Sequence, residues 1–478
     1  MKNINLKKIL IFTIILLLIF SNFITIINGN KIKQDGKIQT NSKTSYDLLI
    51  ISPKKFSRYL FPLVSHKNNH GIKTILKTIE EVYEQIFWRG KDKAEKLKYF
   101  IKDAIENWNI SYVLLVGGRK DQSLQETWWI PVRYVYIDRG YLRDNGKYLP
   151  EKKYLSDLYF ADIYDSNGNF SSWDENENGI YGEWPLNSSA VDIPDLTPDV
   201  FIGRLPCRTI FEVLIMVNKI INYENGKFDE TWFKKMVVIG GDTYPDKTDY
   251  YDGEVYNQMA LYLMPDFKPV KVWASEGNLN NWKDIVKAIN PGCGFVFFSG
   301  HGNCASWITQ APDDNSSWIG RFGRVHIPFL KNTRKLPVCL CASGCFVSMF
   351  NVSLRYSHFA YWNGIPMKVP YCWSWTLTKK IEGGTIATIG STDFSYESPD
   401  IDSEVGGCEQ LDLNFFNEYD ENNVNILGEI WGKAVSSFVQ QFPINWDDGS
   451  KTGDALIVKN VQQWLLIGDP SLKIGGYI

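Results

Sequence analysis

A histidine flanked by two glycines follows an apolar run in the segment Phe295-Val-Phe-Phe-Ser-Gly-His301-Gly302. A short, uninterrupted apolar run is typical of a strand that is buried on both faces of a parallel sheet. In such sheets catalytic groups collect at the carboxyl ends of the strands, because the loops there open onto a shared crevice. Glycine on both sides of His301 lets the backbone approach a substrate and leaves the imidazole uncrowded. These features indicate a proton-transfer group, and the alternative interpretation is a structural histidine in a glycine turn.

A second apolar strand ends on a cysteine, in the segment Leu336-Pro-Val-Cys-Leu-Cys341-Ala-Ser-Gly344-Cys-Phe346. A thiol at one strand end and a histidine at the end of a nearby strand form the arrangement needed for thiolate attack on an amide. The histidine helps to ionise the thiol and later protonates the leaving amine. Cys339 and Cys345 compete with Cys341 for the role of nucleophile, but Cys339 lies inside the strand whereas Cys341 lies at its exit. A structural or metal-binding role is the third alternative, although these thiols lack the paired C-x-x-C spacing of a closed zinc site.

The turn Gly300-His301-Gly302 and the segment Cys341–Phe346 together resemble the histidine and cysteine motifs of the gingipain-type peptidases. This family belongs with the caspases and legumains among the caspase-like cysteine peptidases. The resemblance covers roughly residues 45–474, because further segments agree with the family in the same order along the chain. These segments are Tyr112–Gly117, Ile130-Pro131, Ser156–Tyr159, Phe201–Pro206, Lys219–Glu224, Ile389–Thr392 and Leu466–Leu472. The resemblance implies a caspase-like α/β fold, a parallel-sheet sandwich with helices on both faces, in two tandem α/β subdomains.

The resemblance also implies a role for each residue that matches a family motif. His301 and Cys341 become the catalytic pair, and the backbone N–H groups of Gly302 and Cys341 become the oxyanion donors. Removing a donor of this kind typically costs about 3 kcal/mol of transition-state stabilisation. The family has an acidic residue after the first strand of the catalytic half that orients the histidine, and Asp242 matches that place in Val238-Ile-Gly-Gly-Asp242. The alternative for Asp242 is an aspartate that caps a turn or the next helix.

A second aspartate is the candidate for substrate binding. Gingipains specific for arginine hold the guanidinium of the substrate with an aspartate shortly beyond the orienting acid, and Asp252 is the nearest counterpart in this chain. A buried carboxylate favours arginine through two parallel hydrogen bonds, or lysine as a point charge. An N-terminal helix cap explains Asp252 equally well.

The acidic segment Asp174-Glu-Asn176-Glu-Asn178-Gly179 reproduces the first half of a calcium-binding loop, with oxygen ligands on alternate residues and then a glycine turn. The twelfth position, which usually holds a closing glutamate, is Pro185, and Glu183 or Asp162 is the substitute. The predicted ligands are Asp174, Asn176, Asn178 and Glu183. The alternative is a solvated acidic turn. Such a calcium ion would be structural, because thiol-based hydrolysis requires no cofactor.

The elements that must position these residues alternate between short apolar strands and amphipathic helices, which predicts an α/β protein with a parallel sheet. The predicted strands are 48–51, 112–116, 200–203, 237–240, 295–298, 338–341, 386–389 and 464–467. The predicted helices are 56–64, 93–108, 210–223, 255–264, 282–289 and 427–439. A boundary near residue 226 divides the chain into an N-terminal α/β subdomain (45–225) and a catalytic subdomain (226–478). Residues 138–198 lack periodicity, which predicts an irregular insertion in the first subdomain.

The composition narrows the class of protein. Hydrophobic residues make up 44% of the chain and charged residues 22%, which is ordinary for a folded soluble protein and excludes wholesale disorder. The formal net charge is −3, and the sequence contains no basic block that would neutralise a phosphate backbone, so the sequence does not predict nucleic acid as a partner. Six of the eight cysteines lie between Cys293 and Cys372, a clustering that does not indicate a disulfide scaffold.

Residues 1–29 have the features of an export signal. Three lysines precede the apolar run Ile9–Phe20, and Gly29 supplies a small residue near a cleavage point. The alternative is an uncleaved anchor, because Ile24–Ile27 extends the run towards membrane-spanning length. The polar, turn-rich composition of residues 30–44 predicts a flexible lead-in. Both alternatives predict an extracellular or cell-surface protein, and the second predicts membrane attachment through the N-terminal segment.

The sequence therefore predicts an exported cysteine endopeptidase that hydrolyses protein or peptide substrates through an acyl-enzyme. One alternative is a catalytically silent surface protein that keeps the scaffold for adhesion, although the intact histidine and cysteine argue against it. Another is a transpeptidase, which shares the acyl-enzyme step and passes the acyl group to an amine. The sequence departs from the family at Cys345, where relatives have a polar or acidic residue, and this departure leaves open which thiol attacks.

Overall fold

Ten strands form one extended sheet in the computed structural model of the chain. The structure describes residues 45–138, 153–246, 250–354, 368–398 and 406–477, together with short strands at 141–142, 148–149, 361–362 and 365–366. In chain order the strands are β1 (Leu48–Ser52), β2 (Thr74–Thr78), β3 (Tyr112–Val116), β4 (Tyr134–Val135), β5 (Tyr141–Leu142), β6 (Tyr148–Leu149), β7 (Tyr154–Leu155), β8 (Phe201–Leu205), β9 (Lys235–Gly240), β10 (Lys268–Trp273), β11 (Phe295–Ser299), β12 (His301–Asn303), β13 (Ser306–Ala311), β14 (Asp314–Gly323), β15 (Val338–Ala342), β16 (Tyr361–Trp362), β17 (Ile365–Pro366), β18 (Ala387–Ser391) and β19 (Trp464–Ile467). The helices are α1 (Lys54–Ser57), α2 (Phe61–Asn69), α3 (Ile79–Gln85), α4 (Lys93–Trp108), α5 (Ile210–Glu224), α6 (Asp252–Tyr262), α7 (Trp282–Ile289), α8 (Trp373–Thr378), α9 (Cys408–Asp420), α10 (Leu427–Gln441) and α11 (Gly453–Gln463).

The large sheet consists of two parallel halves that run in opposite directions. In spatial order, β2, β1, β3, β8 and β19 run parallel to one another and form one half. The other half is formed by β18, β15, β11, β9 and β10, again parallel to one another. The halves meet where β19 pairs antiparallel with β18. The predicted α/β fold with parallel strands is confirmed, and β9, β11 and β15 all end at the same edge of the sheet.

The strands that carry the candidate catalytic residues are buried on both faces. In β11, Phe295 and Phe297 pack into the larger core cluster, whereas Val296 and Phe298 pack into the smaller cluster. All five residues of β15 are buried too, and the pairing with β11 places Phe298 opposite Cys341. A strand that is covered on both faces needs apolar residues at every position, which explains the continuous apolar runs in both segments.

Most of the predicted elements correspond to observed ones, but the predicted helix 56–64 is wrong. The structure has two helices there, α1 and α2, separated by a turn at Arg58–Leu60. Pro62 explains the break, because proline lacks an N–H group and is tolerated in the first turn of a helix but not in its interior. The predicted helix 255–264 also begins earlier than expected, at Asp252.

A three-stranded antiparallel sheet, which the sequence patterns do not predict, extends from the end of β11. Its strands are β12, β13 and β14, paired in that order. Gly300 joins β11 to β12 with a φ of 148°, a backbone conformation that favours glycine. This small sheet begins with His301, so it positions the candidate histidine directly.

The remaining predictions concern the organisation of the chain. The export or anchor segment 1–29 and the lead-in 30–44 lie outside the described residues. No helix within the described residues is long and apolar enough to cross a membrane. The described part of the insertion 138–198 contains the two-residue strands β5, β6 and β7 and a short 3₁₀ helix at Leu158–Phe160 among turns. Strands from both sides of residue 226 belong to the same ten-stranded sheet.

Candidate active site

His301 is the first residue of β12 and lies just beyond the carboxyl end of β11. Its Nε2 lies 2.8 Å from the backbone oxygen of Thr243, in the loop that follows β9. A carbonyl oxygen can only accept a hydrogen bond, so Nε2 carries the proton and donates it. In the neutral imidazole the lone pair is then on Nδ1, which makes Nδ1 the atom that can take a proton.

Two aromatic rings contact the imidazole of His301. The ring of Tyr244 lies edge-on, with its centroid 5.4 Å away and its plane at 89° to the imidazole. The ring of Trp318, on β14, has its centroid 5.3 Å away and its plane at 60°. Together with the hydrogen bond to Thr243, these contacts hold the imidazole in one orientation.

Asp242, the predicted orienting acid, is buried at the start of the same loop. Its backbone N–H donates to the carbonyl oxygen of Gln310 at 3.3 Å, and its Oδ2 accepts from the N–H of Asp313 at 3.0 Å. Both partners belong to the hairpin of β13 and β14, so Asp242 ties that hairpin to the loop. The hydrogen bond from Nε2 of His301 goes to the backbone oxygen of the next residue, Thr243. Sequence reasoning missed Thr243, because a backbone carbonyl leaves no signature in residue type.

Cys341 is the fourth residue of β15, and its side chain has no exposed surface. It faces the smaller core cluster together with Cys339 and Phe298, as strand alternation predicts. Burial raises the pKa of the Cys341 thiol well above its usual range, and Cys339 and Asp412 act in the same direction. A hydrogen bond with the backbone of Gly344 acts in the opposite direction. Burial therefore favours the neutral thiol over the thiolate in this arrangement.

Gly344 covers the sulfur of Cys341, and Gly302 packs against Gly344. A Cβ atom on Gly344 would overlap the sulfur, so only glycine fits at that position. Gly302 in turn packs against Gly344, and a Cβ on Gly302 would lie 2.8 Å from the Cα of Gly344. The structure thus brings His301 and Cys341 to the ends of adjacent strands, and the backbone after each of them into contact. The predicted oxyanion donors, Gly302 and Cys341, lie on the two sides of this contact.

Cys345 is the second thiol at this edge of the sheet. Its side chain is half-buried, and its Sγ lies 3.4 Å from the Oγ of Ser395, just beyond β18. All eight cysteines lie within the described ranges, and none of them forms a disulfide there. Cys345 is therefore the more accessible of the two thiols, whereas Cys341 lies beneath Gly344.

Asp252, the predicted substrate-binding acid, is the first residue of α6 and is buried. The N-cap position belongs to Tyr251, whose side chain makes no capping hydrogen bond. The Oδ2 of Asp252 accepts a hydrogen bond from the N–H of Tyr244 at 3.3 Å. Because Tyr244 follows Thr243 and contacts His301, the carboxylate of Asp252 is attached to the loop that holds the histidine.

Acidic side chains act on two tyrosines near this loop. Burial raises the pKa of Tyr244 above its usual range, and the negative charges of Glu397 and Asp252 act in the same direction. Burial also raises the pKa of Tyr256, on α6, with contributions from Glu409, Glu397 and Asp252. The carboxylates of Glu397 and Asp252 therefore act on both phenols.

The predicted calcium loop has the internal hydrogen bonds of a folded acidic turn. The N–H of Gly179 donates to Oδ2 of Asp174 at 3.2 Å, and the N–H of Asn178 donates to Oδ1 of Asn176 at 3.0 Å. The side-chain amide of Asn178 donates to Oε2 of Glu183 at 2.7 Å. Four of the predicted ligand residues thus lie in one hydrogen-bonded loop.

One oxygen of this loop fits a calcium ligand. Asp174 is buried, and its Oδ1 has no hydrogen-bond partner among the described residues, which is unusual for a carboxylate. The Nζ of Lys91 lies 3.1 Å from the other oxygen, Oδ2, and neutralises part of the charge. Asp162, the alternative closing ligand, accepts a hydrogen bond from the N–H of Leu196 instead. No group of three or more Asp, Glu, His or Cys side chains in the described ranges is arranged to hold a metal ion, so calcium stays a prediction.

The fold and the motifs have a match among known proteins. Residues 41–475 match the sequence profile of peptidase family C25, and the chain therefore belongs to this family of cysteine peptidases. Gingipain R2 of Porphyromonas gingivalis strain W83 is 22% identical over 436 residues, which cover 89% of this chain and 46% of the relative. Gingipain R1 of the same species is 21% identical over 435 residues, which cover 89% of this chain and 34% of the relative. The chain spans less than half the length of these curated relatives.

Solved structures agree with this assignment. The complex of the pro- and mature domains of Porphyromonas gingivalis RgpB matches with a TM-score of 0.60 and 20% identity, over 90% of this chain and 79% of that one. The crystal structure of the Arg-specific cysteine proteinase gingipain R matches with a TM-score of 0.57 and 20% identity, over 91% and 79%. The predicted resemblance to gingipain-type peptidases and the predicted caspase-like α/β fold are thereby confirmed.

Proposed function

We propose that this protein is a cysteine endopeptidase in which Cys341 is the nucleophile and His301 transfers the proton. Membership of peptidase family C25 supports this proposal. The observation that carries it is the hydrogen bond from Nε2 of His301 to the carbonyl of Thr243. That bond makes Nδ1 the basic nitrogen, on a residue that follows the strand adjacent to the one carrying Cys341.

In the proposed reaction, Nδ1 of His301 takes the proton of Cys341 and the thiolate attacks the carbonyl carbon of the substrate. The N–H groups of Gly302 and Cys341 donate hydrogen bonds to the oxyanion. The C–N bond then breaks, His301 returns the proton to the leaving amine, and a thioester remains on Cys341. Water, activated by the same histidine, hydrolyses the thioester. No cofactor takes part in these steps.

The turn that covers the sulfur must move before the attack. Ser343 and Phe346, on either side of Gly344, have φ values of 60° and 61°, in the left-handed region. Residues other than glycine adopt this region at a cost of order 1 kcal/mol or more. Releasing two such residues offsets part of the free energy needed to expose the sulfur of Cys341. We infer that a bound substrate stabilises the open arrangement.

The covered sulfur is also the observation that favours the alternative function, a catalytically silent surface protein on the same scaffold. In that case Gly344 would stay in place and the thiol of Cys341 would remain protonated and inaccessible. A transpeptidase is the other alternative, since it shares the acyl-enzyme. Adding an amine nucleophile to the reaction distinguishes it, because a transpeptidase yields a ligated product.

The proposal is tested by mass spectrometry after exposure of the protein to arginyl, lysyl and alanyl acyloxymethyl ketones. We expect one adduct on Cys341, its loss in His301→Ala, and its retention in the matched control Cys345→Ala. An adduct on Cys345 that survives Cys341→Ala would make Cys345 the nucleophile. No adduct on either thiol under reducing conditions, with or without calcium, would favour the silent surface protein.

The proposed substrates have a basic residue before the scissile bond. The buried carboxylate of Asp252 beside Tyr244 supports this, as does the negative charge of Glu397, which also acts on Tyr244. A carboxylate in such a place forms charge-assisted hydrogen bonds with arginine or lysine. The solved relative is described as Arg-specific.

We also propose export through residues 1–29, either as a cleaved signal or as an anchor, which would place the protein outside the cell or on its surface. The three lysines followed by the apolar run Ile9–Phe20 support this proposal. Calcium in the Asp174 loop is a further proposal, supported by the Oδ1 atom of Asp174. Asp174, Asn176, Asn178 and Glu183 would hold the ion, which would brace the loop and take no part in the chemistry.

A further inference from the structure

We propose that Trp318 forms the binding site for the side chain of the residue that follows the scissile bond, and that this site prefers aromatic and large apolar side chains. The inference rests on the proposed peptidase activity, because it uses the position of His301 in proton transfer. It is carried by the bulge that places Trp318, the exposure of its ring and the rigidity of its hairpin.

The inner face of the hairpin defines where the residues of β14 should point. Trp307 of β13 pairs with Phe322 of β14, and both side chains are fully buried against the core. Side chains alternate along a strand, so counting in twos from Phe322 would place residue 318 on this inner face. A regular hairpin would therefore bury Trp318 rather than expose it.

A bulge in β14 moves Trp318 to the other face. Thr309 pairs with Ile319, and Gln310 pairs with Trp318, so β14 has one more residue than β13 between these pairs and the pair at Phe322. Gly320 lies in this bulge with a φ of 68°, and a Cβ there would lie 2.9 Å from a side-chain carbon of Leu279. Glycine is therefore the residue that fits this bulge, and the extra residue reverses the direction of Trp318.

The bulge puts Trp318 on the same face as the histidine. His301 pairs with Ile308, and Trp318 pairs with Gln310, two residues further along β13. Directly paired side chains, and side chains two residues apart, project from the same face of a sheet. The ring contact between Trp318 and His301 follows from this arrangement.

Trp318 is 52% exposed as a residue despite this contact. A tryptophan buries a large apolar area when it packs, so a ring left half exposed beside a candidate catalytic group is a surface available to a ligand. The hairpin that carries it is held at its tip, where the hydroxyl of Tyr251 donates to Asp313 at 3.1 Å and the N–H of Asp313 donates to Asp242. Trp318 is thus a fixed apolar surface.

The proton transfer defines which substrate residue meets this surface. His301 must reach the nitrogen of the leaving amine, and that nitrogen belongs to the residue after the scissile bond. The side chain of that residue is attached one carbon away from the nitrogen, next to the imidazole and its neighbour Trp318. Asp252 bonds to Tyr244, a different neighbour of His301, so the basic residue before the scissile bond has a separate site.

The test compares the protein with Trp318→Ala on two peptides that differ only in having Phe or Gly after the scissile bond. We expect the unmodified protein to cleave the Phe peptide with a kcat/KM about tenfold higher. In Trp318→Ala this ratio should fall to about one, mainly through KM, and Trp318→Phe should restore most of it. If Trp318→Ala lowers kcat/KM equally for both peptides, or shifts the pH profile instead, the ring only orients His301 and the proposal is wrong.

Two controls separate this inference from the proposed activity. Trp88→Ala replaces a tryptophan that is 66% exposed in the loop between α3 and α4, and it should leave the Phe-to-Gly ratio unchanged. The second control measures peptide binding to Cys341→Ala by calorimetry, which does not require catalysis. Tighter binding of the Phe peptide that is lost in Cys341→Ala/Trp318→Ala would support the site even if the protein neither cleaves peptides nor reacts with the ketones. Equal affinity for the two peptides would overturn it.

Discussion

Gly344 lies directly over the sulfur of Cys341, so closely that one added carbon on the glycine would overlap the sulfur. The same glycine contacts Gly302, the residue after His301. The contact therefore joins the two predicted catalytic segments and closes the proposed nucleophile from solvent. It also makes residue 344 a sensitive point for both stability and reactivity.

Gly344→Ala should lower the free energy of unfolding by about 1–3 kcal/mol, because the added methyl group overpacks a filled part of the core. It should also slow labelling of Cys341 by an acyloxymethyl ketone, since the Cβ occupies space next to the attacking atom. Urea denaturation and mass spectrometry measure the two effects. Gly323→Ala is the control, because its Cβ would lie 3.3 Å from the Cβ of Ser306, a much milder contact. If folded Gly344→Ala is labelled as fast as the unmodified protein, residue 344 does not control access to the sulfur of Cys341.

The reactivity of Cys341 towards a small alkylating agent should rise with pH. Only the thiolate reacts, and burial raises the pKa of Cys341 well above its usual value, near 8.5 for a free cysteine. In the absence of substrate, alkylation of Cys341 by iodoacetamide should therefore keep increasing through about pH 9. Peptide mapping over a pH series measures the rate. A plateau below about pH 7 would instead indicate a thiolate already stabilised by His301.

The sequence allowed the strand framework and the position of both catalytic candidates to be predicted. The segments that end at His301 and Cys341 are buried on both faces, so each is a continuous apolar run with a clear end. The alternation of strands and helices along the chain also predicted a parallel sheet. These features depend on residue type along the chain, which is the information that a sequence carries directly.

Other parts of the site depend on contacts between distant segments. The carbonyl of Thr243 could come from any residue type, so nothing in the sequence marked it. The bulge at Gly320 breaks the alternation of β14, which hid both the hairpin and the direction of Trp318. The first half of the sheet is completed by β19, near the end of the chain, which pairs with β8 although β8 precedes it by more than 250 residues, and which joins that half to the other by pairing with β18.

Lys67→Met should destabilise the protein strongly. The Nζ of Lys67 is buried and lies 2.8 Å from Oε1 of Glu224 and 2.9 Å from Oδ2 of Asp469. Removing the ammonium group leaves two buried carboxylates without the positive charge that balances them. A loss of about 3–5 kcal/mol in the free energy of unfolding is therefore expected. Urea denaturation measures the change. Lys102→Met is the control, because its partially exposed pair with Glu106 contributes at most about 0.5 kcal/mol.

The effect of Lys67→Met should depend on pH. Burial alone would raise the pKa of Glu224, but Lys67 and a hydrogen bond from His66 lower it overall. A carboxyl group with a lowered pKa in the folded state contributes stability above its unfolded pKa, about 4.3, and this contribution is lost as the pH falls through the folded value. The difference between the two proteins should therefore shrink below about pH 4. A difference that stays constant with pH would mean that lost packing, rather than charge, explains the effect.

Asp252→Asn should change the choice of substrate. The carboxylate beside Tyr244 is proposed to bind the cationic side chain before the scissile bond, and charge-assisted hydrogen bonds contribute about 1.5–3 kcal/mol each. We expect kcat/KM for arginyl peptides to fall by about 100-fold, with little change for alanyl peptides. Asp266→Asn, which alters an exposed acid that pairs with Lys234, is the control. If the unmodified protein cleaves arginyl and lysyl peptides no faster than alanyl peptides, basic specificity is wrong.

Calcium removal is the remaining test, and the Asp174 loop indicates its direction. A ligand that binds only the folded state stabilises it, by about 2.7 kcal/mol at a concentration of 100 times Kd. Excess chelator should therefore lower the Tm by a few degrees, and added calcium should restore it. Asp174→Asn removes the charge of the carboxylate to which the buried Oδ1 belongs, and it should make the Tm independent of chelator. Asp195→Asn changes an acid outside the predicted ligands, so the Tm of this variant should still respond to chelator. If chelator leaves the Tm of the unmodified protein unchanged, the loop is a solvated acidic turn in which Lys91 supplies the positive charge that balances Asp174.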